Sequence, residues 1–373
     1  WGMGFEGRGN AGNKSNLTLI EAYAKLRVGV FQLKAGRSKD VMGLNGDTSL
    51  SSGNFTMSGN ALGIPKLEIS IPDYYTIPVL QGLFSIKGNF AHGLLGKIKG
   101  STESSYLHQK SLYMRIGKPD WKLKLYGGFN HQTFWGNEKD LYGQDFDLSK
   151  FETLYYVFLG KTYKGKGVGR SKIGNQIGSI DLGAEYNFEK FKIMIYRQNF
   201  YDVGALAKLA NIADGLNGVS IENTAHTTKS SGFKWKKALF EFFYSKDQAG
   251  YPWSKKTKSG DEDYYNNAFY RNGWSYFGPG IGNPLITPAS DAKEGQASKK
   301  ADYFINNRVV AVHLGFEGEI DSWTFATKIT HSWNYGTFGT SIYGNTTGNN
   351  SSPSTNNIFI PVQQFSVYLE GLK

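Results

Sequence analysis

Aromatic and amide side chains crowd one stretch of the chain, residues 253–277. Sugars are held by stacking on aromatic faces and by hydrogen bonds from planar amide and guanidinium groups. The stretch supplies both kinds of group, so it predicts a carbohydrate-binding surface, with a loop packed on itself as the alternative. The aromatic residues are Trp253, Tyr264, Tyr265, Phe269, Tyr270, Trp274, Tyr276 and Phe277, interleaved with Asn266, Asn267, Arg271 and Asn272.

A run of basic residues is the second feature that could bind a ligand. No Asp or Glu occurs between Thr153 and Ile180, so the run carries a positive potential that attracts polyanions. The formal net charge of +11 favours an anionic partner such as acidic polysaccharide, lipid phosphate or nucleic acid. A solvated loop is the alternative. The basic residues are Lys161, Lys164, Lys166, Arg170 and Lys172.

Catalytic and metal-binding motifs fit the chain poorly. Residues 160–162 resemble the end of a phosphate loop, but Tyr155 occupies the place of its first glycine. Cysteine is absent, and no two of the six histidines have metal-ligand spacing. Asp261, Glu262 and Asp263 could supply a carboxylate pair for glycoside hydrolysis, but adjacent residues on an extended segment point apart, which favours a solvated loop face. We therefore expect no metal, no cofactor and no enzyme.

The elements that must position these groups show strict alternation of apolar and polar residues. Within residues 174–200, Ile180 and Leu182 alternate with Asp181 and Glu185. Successive side chains on a strand point to opposite faces, so one face is apolar and the other polar. A soluble sandwich and a barrel in lipid would both produce this pattern.

Charged residues inside the strands favour the barrel. In residues 17–30, Ile20 lies on an apolar face, while Glu21, Lys25 and Arg27 lie on the other. These charges would be costly in a dry sandwich core but are ordinary in a wet lumen. With roughly 16 candidate strands and no linker between domains, the chain is predicted to be all-β: one transmembrane antiparallel β-barrel, residues 1–373.

Composition agrees with many strands joined by turns. The chain has 47 glycines and is 15% aromatic, which is unlike a helical protein. No run of about 18 apolar residues occurs, and this excludes a transmembrane helix. Trp1 is not preceded by the charged and apolar segments of a signal peptide, so we expect a chain that is processed or lacks its first residues.

Four segments interrupt the strand pattern. Residues 142–162 and 202–214 have helical spacing and are expected to plug the lumen or lie against one mouth of the barrel. Residues 246–302 are too long for an ordinary turn, so we expect a functional or lumen-filling loop. Residues 339–357 are rich in Gly, Asn, Ser and Thr and are typical of an external loop.

Four longer motifs follow one another along the chain. They are GGFNHQTFWG at 127–136, IGNQIGSIDLG at 173–183, DGLNG at 214–218 and DYYNNAFYRNGWSYFGPGIGNP at 263–284. In these motifs and their order the chain resembles the capsule assembly Wzi family of outer-membrane proteins. The resemblance implies a barrel of about 16–18 strands, with 18 favoured, a helical plug and long surface loops. It also implies the outer membrane of a Gram-negative bacterium.

The resemblance further implies which residues contact glycan, because the family consists of lectins that tether capsular polysaccharide to the cell surface. The chain departs from the family pattern beside Gly278, where Phe277 and Pro279 stand and a basic residue is expected. The polar and aromatic motif positions carried over are His131, Trp135, Asn175, Asp181, Tyr264, Tyr265, Asn266, Arg271, Trp274 and Tyr276.

The prediction is therefore a non-enzymatic lectin that binds or anchors capsular or other surface polysaccharide. The alternatives are an outer-membrane pore for small solutes and a scaffold subunit of an envelope complex. The expected partners are polysaccharide and outer-membrane lipid, together with an envelope protein complex, and not nucleic acid.

Overall fold

The computed structural model describes the chain from residue 1 to residue 373 with short gaps. The residues outside the description are 13–14, 46–47, 60, 166–167, 203, 226–231, 253, 255–259 and 345–355, together with the side chains of 168–170.

Strands dominate the described residues. They are β1 (Gly2–Asn10), β2 (Asn16–Val28), β3 (Phe31–Arg37), β4 (Val41–Met42), β5 (Met57–Ser58), β6 (Lys66–Thr76), β7 (Phe84–Lys97), β8 (Ser104–Ile116), β9 (Leu123–Trp135), β10 (Thr162–Gly165), β11 (Val168–Lys172), β12 (Asn175–Asn187), β13 (Phe191–Tyr201), β14 (Gly215–Asn223), β15 (Phe233–Tyr244), β16 (Thr287–Pro288), β17 (Phe304–Asn306), β18 (Val309–Ile320), β19 (Trp323–Asn334) and β20 (Val362–Leu372). The helices are α1 (Glu138–Tyr142) and α2 (Lys150–Leu159), with 3-10 turns at Leu80–Gly82, Ala205–Lys208, Ala289–Asp291 and Phe338–Thr340.

Fourteen strands form one antiparallel sheet, in which each strand pairs with the next strand of the same sheet along the chain. Its order is β1-β2-β3-β6-β7-β8-β9-β12-β13-β14-β15-β18-β19-β20. The predicted all-β, antiparallel class is confirmed. The sheet has 14 strands, fewer than the 16–18 expected. Residues 38–65 and 245–308 fold largely as irregular segments.

The two faces of the sheet differ as the alternation predicts. On β9, Leu125 and Phe129 are exposed, and these residues mark the outer face. Asn130 and Gln132 lie on the inner face, where they bond to the hydroxyl of Thr56 at 2.8 Å each. The register from β8 through β9 to β12 has no shift, so odd-numbered residues of β9 face outward along its whole length.

Near the start of β2 a bulge reverses the predicted faces. Gly7 pairs with Leu19 and Glu6 pairs with Glu21, so Ile20 is the extra residue of the bulge. Ile20 is buried while Leu19 is exposed, and the prediction that Ile20 shares the outer apolar face is wrong. A single extra residue moves every side chain before it to the other face.

Short and long connections are segregated to opposite ends of the sheet. Alternate connections lie at the same end because consecutive strands are antiparallel. One end has the tight turns 29–30, 188–190 and 321–322. The other end, called the long-loop end below, has the connections 38–65, 136–174, 202–214, 245–308 and 335–361.

Residues 38–65, called the inner segment below, cross the inner face of the sheet. The backbone N–H of Leu44 donates to Asp181 at 2.8 Å, and that of Ser52 donates to Glu241 at 2.7 Å. One segment thus touches strands far apart in the sheet, so the sheet curves around it. The strand residues bonded to it include Asn130 on β9, Asp181 on β12, Gln198 on β13, Glu241 on β15, His313 on β18 and Lys328 on β19.

The connection 245–308 packs on this inner segment. Phe55 contacts Tyr264 and Tyr265, with 5.2 Å between ring centroids in each pair. The ring of Trp274 stacks on Phe134 of β9 at 4.1 Å. The aromatic stretch therefore forms a core against the inner face.

The predicted helical segments fold differently from each other. Residues 142–162 contain α2, which begins at a capping box formed by Ser149 and Glu152. Residues 202–214 contain one 3-10 turn, which ends at Leu209 in the left-handed region with φ 53°. Among the described residues no helix is both long and apolar enough to span a membrane.

Candidate functional site

Most of the predicted glycan residues come together at the long-loop end, but several are fully buried. Trp274 has no exposed surface, and its indole N–H donates to the carbonyl of Thr56 at 2.7 Å. Tyr264 is equally buried and its hydroxyl donates to Asp214 at 2.7 Å. Tyr265 donates to the carbonyl of Phe55. A glycan could reach these three rings only after the loop had moved.

Asn266 bonds entirely within its own loop. Its side-chain oxygen accepts from the backbone N–H groups of Tyr303 and Phe304 at 3.0 and 2.9 Å, and its amide N–H donates to Asp263 at 3.0 Å. An amide that both donates and accepts at close range is satisfied. This pattern joins residues 263–266 to residues 303–304 near the C-terminal end of the connection 245–308.

Three further predicted residues lie away from that loop. Asp181 is on the inner face, where it accepts from Leu44 N–H and from the hydroxyl of Tyr113 at 2.8 Å each. His131 is on the outer face of β9, with its Nε2 3.1 Å from the Gln176 side-chain oxygen. Asn175 is buried, and its amide has no hydrogen-bond partner among the described residues. The structure does not gather these three into one site.

One residue of the predicted set, Tyr276, lines a cleft of about 370 Å³ at the long-loop end, called the mouth cleft below. Phe277 is 73% exposed, and its ring lies 4.6 Å from that of Tyr276. The Arg37 guanidinium lies 5.7 and 5.8 Å from the centroids of these two rings and donates to the Tyr276 hydroxyl at 3.2 Å. Arg271 is exposed nearby in sequence. The cleft is lined by Leu95, Lys97, Ile98, Phe134, Tyr270, Asn272, Gly273, Ser275, Tyr276, Phe277, Gly278 and Tyr303.

Trp135 lines a separate cavity of about 390 Å³ between the start of β8, α1 and α2. Tyr106 shares the lining, and its ring centroid lies 5.2 Å from that of Trp135. The buried indole N–H of Trp135 has no acceptor among the described residues. Two of the predicted aromatic residues, Trp135 and Tyr276, therefore lie in two different cavities.

Three histidines meet on the outer face although they are far apart in sequence. Nδ1 of His108 lies 3.4 Å from Nε2 of His92, and the rings of His108 and His131 are 6.3 Å apart. Pairing of β7, β8 and β9 brings them together, which spacing along the chain could not reveal. No group of three or more His, Asp or Glu side chains in the described part of the chain has the geometry of a metal site.

The acidic run holds the loop in place. The Glu262 carboxylate accepts from the backbone N–H groups of Asp202 and Ala205 at 2.8 Å each. Asp263 accepts from the side chain of Asn307 at 2.7 Å. Burial raises the pKa of Asp261 and Asp263. These carboxylates therefore organise the connection 245–308 and do not lie on a solvated face.

The pKa of Asp214 predicts a pH-dependent stability. Burial raises this pKa to about 7, although Tyr264 and the N–H of Gln248 donate to the carboxylate. In an unfolded chain the pKa is about 3.9, so the folded state binds the proton more tightly. Proton binding by Asp214 therefore stabilises the folded state at low pH, and this contribution to the free energy of unfolding is lost as pH rises from about 4 to about 7. We expect Asp214→Asn to have a flatter melting temperature against pH in this window than the wild type; parallel curves would contradict the prediction.

The basic run is only partly described. Lys161 and Lys164 are exposed, and Lys172 is half-buried. Burial lowers the pKa of Lys172. Lys166 lies outside the described residues, as does the side chain of Arg170, and the same holds for Trp253 of the aromatic stretch.

Sequence reasoning missed Arg37 and the inner segment. Arg37 lies 239 positions before its hydrogen-bond partner Tyr276, so no local pattern links them. The inner segment contains the run SLSSGNFTMSGN, whose Ser, Gly and Asn residues indicate a loop. That signal indicates irregular backbone and does not show where the backbone packs.

No curated protein matches the chain. Several solved structures are similar over much of its length at low identity. They include OmpT, an outer membrane protein of Vibrio cholerae (10% identity, 95% of this chain and 79% of that chain, TM-score 0.36), BamA from Haemophilus ducreyi (11%, 98% and 69%, 0.35) and OccD3 of Pseudomonas aeruginosa (12%, 96% and 79%, 0.30). These TM-scores are too low to support an argument about fold or function.

A family model does match the chain. It describes the capsule assembly protein Wzi and covers residues 4–315 of the 373, a span that includes the mouth cleft, the inner segment and all four sequence motifs. The chain therefore belongs to the capsule assembly protein Wzi family and is an outer-membrane β-barrel protein of a Gram-negative bacterium.

Proposed function

We propose that this protein is a non-enzymatic, lectin-like protein that binds surface polysaccharide in the mouth cleft. The observation that carries the proposal is the exposed ring of Phe277 beside Tyr276, with the Arg37 guanidinium near both rings. Aromatic faces bind the apolar faces of sugar rings, and guanidinium groups donate to hydroxyl and carboxylate oxygens. Family membership in capsule assembly supports a polysaccharide as the ligand.

The charge of the mouth cleft favours an acidic polysaccharide. Lys97 is the charged residue in its lining, and Arg37 lies beside Tyr276 at its edge. Cations grouped in a cleft raise the local concentration of anions. A polymer with uronic acid or other anionic groups would gain from both cations.

The same lining supports binding rather than cleavage. Glycoside hydrolysis needs two carboxyl groups across the scissile bond, and the described residues that line the mouth cleft include no Asp or Glu. Asp261 and Asp263 of the same connection are half-buried, and Asp263 accepts hydrogen bonds from Asn266 and Asn307 within the loop. We therefore expect a bound polysaccharide to be held without being cleaved.

We expect Phe277→Ala to weaken polysaccharide binding because it removes an exposed stacking face. Loss of one aromatic contact is worth about two- to tenfold in affinity, and Arg37→Gln should add a loss that depends on salt. The measurement is binding of the cell's own surface polysaccharide to purified protein in detergent.

Ile360→Ala is the matched control for this experiment. Ile360 is 70% exposed and lies in another connection at the long-loop end. The control should bind as the wild type does, and all variants should keep the electrophoretic mobility of the folded barrel. An equal loss in Phe277→Ala and Ile360→Ala, or no loss in either, would rule out the mouth cleft as the binding surface.

A further inference from the structure

Helix α2 lies outside the sheet, against its outer face. The ring of Phe158 on α2 is 5.7 Å from that of His108 and 6.0 Å from that of Phe90. The ammonium group of Lys110 donates to the carbonyl of Phe158. Phe90 belongs to the outer, exposed side of β7. The helix therefore covers the membrane-facing side of the protein at the long-loop end rather than plugging the lumen.

One side of α2 is apolar, and no element among the described residues covers it. Phe151 is 80% exposed, Tyr155 48%, Phe158 39% and Leu159 49%. Their spacing places them on one stripe of the helix. Thr153 and Val157 are buried on the other side. Large exposed apolar stripes mark contact with a protein or a membrane.

The stripe continues the apolar outer face of the sheet. Phe90, which touches Phe158, is exposed, as are Leu112 of β8 and Phe129 of β9. These outer residues face lipid in a protein of the outer membrane. Long loops of such barrels are extracellular, so α2 lies at the level of the outer leaflet.

Cations follow directly at the C-terminal end of the stripe. The ammonium group of Lys161 lies 3.3 Å from the Tyr155 hydroxyl and 4.7 Å from the centroid of its ring. Lys164 is also exposed. Among the acids near the start of α2, Asp147 accepts from the Tyr163 hydroxyl and Glu152 caps the helix. An aromatic stripe ending in lysines suits the boundary between acyl chains and anionic headgroups.

We propose that α2 is an interfacial helix that binds anionic lipid of the outer leaflet. Its stripe of Phe151, Tyr155, Phe158 and Leu159 enters the acyl boundary, and Lys161 and Lys164 bind headgroup phosphate. The proposal rests on the outer-membrane location and not on polysaccharide binding in the mouth cleft. It assigns the exposed part of the basic run to lipid.

Depth in the bilayer tests the stripe directly. The chain has no cysteine, so Phe151→Cys and Tyr155→Cys each give one site for a nitroxide label. With the full chain in vesicles of phosphatidylcholine and phosphatidylglycerol, both labels should be more accessible to oxygen than to a water-soluble nickel chelate. Gln144→Cys, exposed on the same connection, should show the reverse order. Nickel accessibility at 151 and 155 equal to that at 144 would overturn the proposal.

Lipid binding tests the two lysines. The Lys161→Gln, Lys164→Gln double variant should bind phosphatidylglycerol nanodiscs more weakly, by about fivefold for each lysine removed, with little change for phosphatidylcholine. Lys293→Gln, Lys300→Gln removes two exposed lysines from the connection 245–308 and should bind as the wild type does. Equal losses in both double variants, or loss of polysaccharide binding without loss of lipid binding, would overturn the assignment to lipid.

Discussion

Trp274→Ala is expected to lower the free energy of unfolding by about 3–5 kcal/mol. The indole is fully buried, stacks on Phe134 at 4.1 Å and donates to the Thr56 carbonyl at 2.7 Å. Its removal leaves a cavity and an unpaired carbonyl between the connection 245–308 and the inner segment. Both penalties act at the same place.

Urea unfolding of the purified protein in detergent measures this effect. Trp274→Phe keeps the stacked ring but loses the N–H donor, so we expect an intermediate loss of about 1–3 kcal/mol. Phe277→Ala removes an exposed ring three positions away and should change stability by about 0.5 kcal/mol or less. If Trp274→Ala were as stable as Phe277→Ala while glycan binding was lost, Trp274 would be a ligand contact instead of a core residue.

The second large effect is expected from Glu241→Ala, which should release the inner segment from the sheet. The buried Glu241 carboxylate accepts from the Ser51 hydroxyl at 2.8 Å and from the backbone N–H and hydroxyl of Ser52 at 2.7 and 2.6 Å. Tyr196 also donates to it. Removal of a charged acceptor leaves several buried donors unpaired, at a cost of about 3 kcal/mol or more.

Two measurements would detect displacement of the inner segment from the sheet. Limited proteolysis should cut Glu241→Ala within residues 38–65 faster than the wild type, and planar bilayers should show a higher conductance, because a displaced inner segment opens the lumen. Glu241→Gln keeps one acceptor oxygen and should lie between the two. If Glu241→Ala were cut at the same rate as the wild type and had the same conductance, other contacts, such as that of Leu44 with Asp181, would suffice to hold the inner segment.

Local pattern predicted the strands well and their faces less reliably. Leu123, Leu125 and Phe129 alternate with Lys124 and Tyr126, and the three apolar residues are exposed on the outer side of β9 as this pattern predicts. Near Ile20 one extra residue shifts the register, and nothing in the local sequence marks that bulge. The sequence motifs identified the family correctly, but the same motif residues include both the fully buried Trp274 and the exposed Arg271. Their prediction as glycan contacts remains to be tested.

What the sequence by itself determined is the all-β class, the family and the residue types of the candidate ligand surfaces, because alternation, motif order and residue type are local properties. Only the tertiary structure decided where those surfaces lie. Arg37 at the end of β3 donates to Tyr276 in the connection 245–308, and pairing of β7, β8 and β9 brings His92, His108 and His131 together. The position of helix α2 outside the sheet was likewise decided by tertiary contacts. Contacts between residues distant in the chain depend on strand register and packing, which no local pattern encodes.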